Sequence, residues 1–378
     1  MRPFLYTVLI SCALFCAQES MANANSPQNV TRATAKPKKE DMGIMKFKKV
    51  DPTIRRPIYM TFTPAPKRER NLFLEGDPII KWELPGYGNQ ENMEIWGEGT
   101  FIIRGNVEKL DFRQCYCITD IDLTGNKYLK EVTIGIVGCD ELRIPETVEK
   151  LKVVKTHMKQ IVIPENSQLQ KVEFYNNQDF EAVNMGKCDN LTYFDVSFCP
   201  KLTKAVFSDC KKLKLVDMSG CKGLGTDMRI TDMPDLEQVY MENCNFKTVD
   251  MSNCPQLKVV SVIGNPLEGD ALDKLVATLP TIPGELDGKH ALLLKKEGDN
   301  MKCTSEQMRA MKDKGWMPIK IVGRDSFPMT DSDCTGVRGL NMDNPKEDLW
   351  FNMQGQRIQK PTAKGLYIHN GKKILISQ

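Results

Sequence analysis

The chain has 378 residues, 41% hydrophobic and 27% charged, which is enough for one large or two to three ordinary soluble domains with an ample core. Its 52 basic and 49 acidic side chains leave a formal charge of +3, so there is no basic surplus to hold a phosphate backbone. Nucleic acid is excluded as an expected partner.

At the N-terminus, "MRPFLYTVLISCALFC" sets Arg2 before a short apolar run, and "MANANS" carries Ala22 and Ala24 in an A-x-A arrangement. Residues 1–24 therefore read as a signal peptide cleaved after Ala24. Leu9, Ile10, Ser11 and Cys12 also read like a bacterial lipobox, with Cys16 nearby, so a lipid anchor at Cys12 or Cys16 is the alternative. No other apolar run approaches the roughly 20 residues needed to span a bilayer. The protein is expected to be exported, at the cell surface or extracellular, with the periplasm as the alternative. Residues 25–55, with "AKPKKEDMG" and "VDPTIRRP", read as a flexible leader. Residues 56–105 hold alternating runs such as "IYMTFT" and "EIWGEGTFIIRG", which suit an N-terminal β cap over the open end of a repeat array.

The array itself is read over residues 106–267. Cys188, Cys199, Cys210 and Cys221 are spaced eleven apart, and the same register continues through Asp232, Cys244, Cys254 and Asn265. Upstream it is held by Asn177, Asn166, Asn126 and Cys115. An apolar frame precedes each corner, as in Leu191, Phe194 and Val196 before Cys199, so the unit is L-x-x-V-x-V-x-x-C/N. Alternating apolar residues mark a short strand with one buried face, and the corner residue can hydrogen-bond the turning backbone. Two such halves make a coil of about 22 residues that cannot bury its face without neighbours. The period slips around Ile134–Val148 and Leu224–Met233, where bulges or insertions are expected. Corner cysteines 22 residues apart should stack about 4.8 Å from each other as reduced, buried thiols, with redox switching as the alternative.

Residues 268–323 read as an α/β C-terminal cap. Ala271, Leu272, Leu275, Val276 and Leu279 have helical spacing and Pro280 stops it; "HALLLKK" follows as a strand. Thr304 and Gln307 form a capping box for a helix with Met308 and Met311 that ends at Gly315, and "PIKIVG" supplies another strand. Residues 324–347 read as a linker. In the tail, residues 348–378, Asn370 and Gly371 between "LYIH" and "KKILI" signal a type I′ hairpin.

The fold class is thus an α/β solenoid dominated by short parallel strands, with a cap at each end and a terminal β-hairpin tail. "LTYFDVSFCPKL", "LKLVDMSGC", "TVDMSNCPQL" and "LKVVSVIGNPL" resemble the repeats of the internalin-like leucine-rich-repeat proteins exported by the phylum Bacteroidota. "GNPLEGDALDKLVATLP" with "CTSEQMRAMKDKGW" resembles that family's C-terminal cap, and "MEIWGEGTFIIRGNVEKLDF" its entry into the first coil. The usual W-G-D-G of the N-terminal region appears only as "WELPG" from Trp82 to Gly86. The tail resembles a C-terminal module common in exported proteins of the same phylum, and loosely a type IX sorting domain, which implies a sorting or anchoring role. The resemblance implies a right-handed leucine-rich-repeat coil and a role in adhesion or host interaction.

Chemistry is sparse. His157, His290 and His369 are far apart in sequence, and Cys115-x-Cys117 lacks the second pair that structural zinc needs, so no metal or cofactor is expected. Phosphate loops, nucleophile elbows and zinc-helix motifs are missing from the sequence, so an enzyme is not expected. Stacked strands present an extended concave sheet, and binding a protein or glycan there is the expected function. A structural envelope scaffold docking other secreted proteins is the alternative. If the strands starting near Leu169, Leu191, Leu213, Leu236 and Leu257 form that side, the outward positions are Glu173, Tyr175, Tyr193, Asp195, Asp217, Ser219, Tyr240, Glu242 and Ser261. An acidic row beside tyrosines, which combine apolar area with a polar tip, is a reasonable recognition surface.

Overall fold

The computed structural model describes residues 42–49, 58–65, 72–76, 79–85, 91–96, 99–113, 117–135, 138–139, 141–284, 289–299, 301–334, 350–352, 357–361, 363, 365–369 and 372–376. The expected signal segment, Cys12, Cys16, Cys115 and the Asn370–Gly371 turn lie outside these residues. Among the described residues, no helix is long and apolar enough to cross a membrane.

Short strands with one apolar face stack in parallel into a β-solenoid. Lys150, Lys171, Tyr193, Leu215, Gln238 and Val259 stand side by side in one sheet, in steps of 21, 22, 22, 23 and 21 residues. The intervening halves form separate two-stranded parallel sheets, Ala182–Asn184 with Lys204–Val206 and Asp227–Arg229 with Thr248–Asp250. The eleven-residue count therefore separates one sheet from the next around a coil, and about 22 residues separate neighbours within a sheet. Between the sheets lies a continuous core that includes Val172, Phe174, Val183, Phe194, Val216 and Val239, all 2% exposed or less. Besides the steps of 21, a 19-residue step joins Glu131 to Lys150, and the 23-residue step into Gln238 accommodates a 3₁₀ turn at Lys222–Leu224.

The main sheet has 14 strands among the described residues, because both ends add to it. At the N-terminal end Ile79–Pro85, Glu91–Trp96, Ile58–Pro64 and Val107–Arg113 pair antiparallel before the parallel stack begins at Glu131–Gly135. Helix α1, Asp270–Thr278, buries Leu272, Leu275 and Val276. Helix α2, Ser305–Asp313, starts at Thr304 with both arms of a capping box in place, Gln307 N–H to Thr304 Oγ1 at 3.1 Å and Thr304 N–H to Gln307 Oε1 at 3.0 Å. These helices alternate with Ala291–Lys296 and Met317–Val322, which continue the main sheet in parallel, and Asp325–Pro328 closes its edge antiparallel.

Two segments depart from the sequence reading. The stretch expected to be a flexible leader contains a strand, Ile44–Lys49, held antiparallel between Gly99–Arg104 and Ile118–Asp122. Its Met45 and Phe47 are 0% and 1% exposed, while Lys46 and Lys48 face solvent, so period-two patterning wins over the polar surroundings. The tail is more than a hairpin: Gly365–His369 and Lys372–Ile376 pair as expected, and Trp350–Phe351 and Arg357–Ile358 extend them to a four-stranded sheet. There Trp350 stacks on His369 with centroids 4.1 Å apart.

Candidate functional site

The main sheet's strands are held at their ends by the corner residues, and asparagine and cysteine do this differently. Asn177 donates through Nδ2 to the carbonyls of Val153 (2.9 Å) and Phe174 (2.6 Å) and accepts at Oδ1 from the Thr156 N–H (2.8 Å). Asn265 likewise donates to Met241 and Val262 and accepts from the N–H groups of Cys244 and Phe246. Asn126 bridges Gly105 and Tyr128 in the same manner. A cysteine donates through its one S–H: Cys199 Sγ reaches the Phe174 carbonyl at 3.0 Å, Cys221 that of Val196 at 3.0 Å, and Cys244 that of Met218 at 3.1 Å. Cys188, Cys210 and Cys254 donate to Met185, Gly186 and Ile230 on the other side of the coil. Burial pushes the Cys199 and Cys244 thiols up to about 12, and raises Cys221 too, so these sulfurs are protonated donors rather than nucleophiles at neutral pH.

Two corners fall one residue from their expected place. Asn166 is exposed and Ser167 beside it is buried; Asp232 is exposed and Met233 is buried. In the second case strand pairing sets Met228 beside Val249, a step of 21, so Met233 stands opposite Cys254, and Asp232 pairs outside with Asn253.

The outer face of the main sheet carries one row running through Thr133, Lys152, Glu173, Asp195, Asp217, Tyr240, Ser261, Leu293 and Ile319, each beside the next. Sheet register thus brings Glu173, Asp195 and Asp217 into one line. Tyr193 stands in the adjacent row, between Lys171 and Leu215. Ser219 and Glu242 follow in the row beyond, where Ser219 Oγ accepts from the Glu242 N–H at 3.2 Å and Glu242 accepts from Ser261 Oγ at 2.6 Å. Tyr175, Tyr193, Glu173, Asp217, Ser219 and Glu242 are half-buried. Three expected outward residues are closed instead: Asp195 is 8% exposed, Tyr240 8% and Ser261 0%. For Tyr240 and Ser261 the reason is a second apolar cluster on this outer face, made of Tyr240, Val259, Ile263, Ala291, Leu293, Ile319 and Ile321, with Ser261 between Tyr240 and Leu293 in the row.

Asp195 and Asp217 sit where the charged and apolar parts of the row meet. Burial pushes Asp195 above the usual carboxylate range, and the Glu173 charge adds to this. Burial, then the charges of Asp195 and Glu242, push Asp217 up to about 7, although the Ser219 N–H donates to it at 2.9 Å.

Before that junction the face is open and polar. A cavity of about 310 Å³ is lined by Glu131, Thr133, Lys150, Lys152, Lys171 and Glu173 over Val132 and Leu151. Glu131 lies 3.1 Å from Lys109 and 3.4 Å from Lys150, and Glu173 lies 3.3 Å from Lys171 and 3.7 Å from Lys152. The same two lysines cover aromatic rings, Lys171 at 4.7 Å from Tyr193 and Lys152 at 5.2 Å from Tyr175. Sequence reasoning finds the tyrosines and carboxylates and misses these lysines, whose signal is the alternation of "KLKVV" and "QKVEFY" at the same outward parity. It also misses Phe198, which is 60% exposed with φ +56. Neighbouring coils place Asn176, Gly220, Asn243 and Gly264 at left-handed turns after the strands of this sheet, residue types that tolerate that conformation. A Cβ on Gly220 would come within 3.0 Å of the Phe198 ring, so that glycine makes room for the aromatic side chain.

A larger cavity of about 660 Å³ lies at a coil corner near the C-terminal end of α1, lined by Lys211, Asp232, Pro234, Asn253, Cys254, Pro255, Thr278 and Pro280. Its lining is mostly apolar, and its polar groups are partly engaged: Lys211 Nζ donates to the Asp232 carbonyl at 3.0 Å. No protein-family model matches the chain, and no curated protein matches it.

Proposed function

We propose that this is an exported, non-catalytic leucine-rich-repeat protein of the internalin-like kind found in the phylum Bacteroidota. In this reading it binds a protein or glycan ligand across the concave face of its main sheet, in adhesion or host interaction. The observation that supports this most is the contrast along one row of that sheet: from Thr133 to Glu173 it is open, grooved and lined with charge and aromatic rings, and beyond Asp217 it is closed. Paired lysines and carboxylates beside tyrosine faces suit peptide amides or sugar hydroxyls, and the sheet holds them without further ordering cost. Phe198 adds an exposed ring at the rim, kept in a conformation that costs a bulky residue on the order of 1–3 kcal/mol.

Biolayer interferometry of the purified protein against mucin glycans, collagen and intact epithelial cells tests the reading. The double substitution Tyr175→Ala, Tyr193→Ala should weaken the strongest of these interactions by about tenfold, equal to about 1.4 kcal/mol, with the far-ultraviolet spectrum unchanged. Binding that survives the double substitution would move the ligand off this face; failure to bind any of the three would remove the adhesion reading.

A further inference from the structure

The outward positions of the first coils carry more positive than negative charge. Lys109, Glu131, Lys150 and Lys171 stand side by side in one row, and Lys152 stands beside Glu173 in the next. Four lysines thus surround two glutamates. Arg113, nearby, is already matched by Asp111, to which it donates at 2.9 and 2.6 Å. A well-formed contact between an ammonium group and a carboxylate closes to about 2.7–2.9 Å, as Lys130 does with Glu149 at 2.7 Å and Lys201 with Asp179 at 2.6 Å. In the groove the four contacts are 3.1, 3.4, 3.3 and 3.7 Å, and the lysine side chains stay 28–47% exposed. Each glutamate is shared by two ammonium groups, which leaves one positive charge of every such pair without a counter-charge and within reach of solvent.

The surroundings define what fits. Lys150–Lys152 pairs with Glu131–Thr133 on one side and Lys171–Glu173 on the other, so the strand has no open edge for the backbone of an extended peptide, and recognition falls to side chains. Those side chains are of two kinds: ammonium groups that hold an anion, and carboxylates that accept from hydroxyl groups. Both line one cavity of about 310 Å³. Farther along the row come Asp195 and Asp217, whose carboxyl groups offer an anion no counter-charge, so a bound anionic group is confined to the stretch before them.

Resting on the reading that this face binds a ligand, we propose that the groove is the site for an acidic glycan. Its carboxylate or sulfate group sits among Lys109, Lys150, Lys152 and Lys171 and supplies the counter-charge that two glutamates only half provide. Its hydroxyl groups donate to Glu131 and Glu173. A sugar ring presents both kinds of group on one rigid frame, which lowers the ordering cost of binding.

Calorimetric titration of the full-length protein with chondroitin sulfate, hyaluronan, dextran and polyglutamate tests this. Hyaluronan carries carboxylates only, chondroitin sulfate carries carboxylates and sulfates, and dextran carries neither. The expected result is binding to one or both acidic glycans, weakened by added salt, and none to dextran. Binding to hyaluronan assigns the carboxylate, and binding confined to chondroitin sulfate assigns the sulfate. The double substitution Lys150→Gln, Lys171→Gln should raise Kd by about tenfold, and Glu131→Gln should lower it by about threefold, because it removes the competing carboxylate. Lys201→Gln with Lys204→Gln, the same change of charge away from this groove, should leave Kd unchanged. Equal binding to dextran, tighter binding to polyglutamate, equal losses in the two double variants, or no binding to either acidic glycan would overturn the proposal. A ligand from the interferometry assay that is lost on Tyr175→Ala, Tyr193→Ala but kept on Lys150→Gln, Lys171→Gln would overturn the acidic-glycan assignment and leave the face as the binding surface.

Discussion

The two ends of one sheet face differ although the repeat that builds them is the same. Near Lys150–Val154 the outward residues are lysine, glutamate and threonine around an open groove; near Val259–Ser261 and Ala291–Lys296 the equivalent positions are Val259, Ala291 and Leu293, at most 5% exposed. Strand geometry, register and inward core are alike, so the difference lies wholly in the outward parity. A solenoid can thus keep its scaffold constant and vary one set of side chains to make part of a face a surface and part of it a second core. The carboxylates Asp195 and Asp217 stand at the boundary, half in each environment, and their raised pKa directions report it.

The largest test places a charge in equivalent positions of the row. Leu293→Asp should lose about 3–5 kcal/mol in urea unfolding, the cost of an unpaired buried charge, whereas Thr133→Asp should change stability by about 0.5 kcal/mol or less. Equal effects would erase the contrast. Tyrosine truncation sharpens it: Tyr240→Ala should cost about 2–4 kcal/mol and Tyr193→Ala about 1 kcal/mol or less, because only the first is buried in an apolar cluster. The boundary is probed by pH. Native Asp217 holds its proton to about 7 while the unfolded chain releases it near 3.8, so the native state binds more protons between these values and stability falls as pH rises through them. Asp217→Asn should remove that fall, gaining about 1–3 kcal/mol over the unsubstituted protein at pH 8 relative to pH 4; an unchanged pH profile would place Asp217 in solvent. The smallest effect concerns the rim of the open part: Phe198→Asn relieves the left-handed strain and should stabilise by about 1 kcal/mol. If it also weakens binding in the interferometry assay, the strain serves the ligand.

Much of the scaffold is legible in the sequence because it rests on local periodicity. The corner positions Asn177, Cys199, Cys221, Cys244 and Asn265 are readable since each corner needs a side-chain donor, and the capping box at Thr304 and the apolar spacing of α1 are local signals of the same kind. One-residue offsets escape, as at Ser167 and Met233, because a step of 21 instead of 22 is settled by which backbone groups pair across coils. Ile44–Lys49 escapes because its partners are distant strands.

For the candidate site the division is sharper. Period-two alternation states that Glu173, Asp195, Asp217 and Tyr240 point the same way, and the register does bring them into one row. Alternation encodes which residues face inward; it does not encode what lies over the opposite face. A trace of the answer is present where alternation fails, in "LKVVSVIG" and "HALLLKK", since a strand apolar on both sides has two faces to bury. The sequence carries the repeat, the corners and the residue content of the face. Which stretch of that face is open comes from the folded chain, since it depends on contacts between segments far apart in sequence.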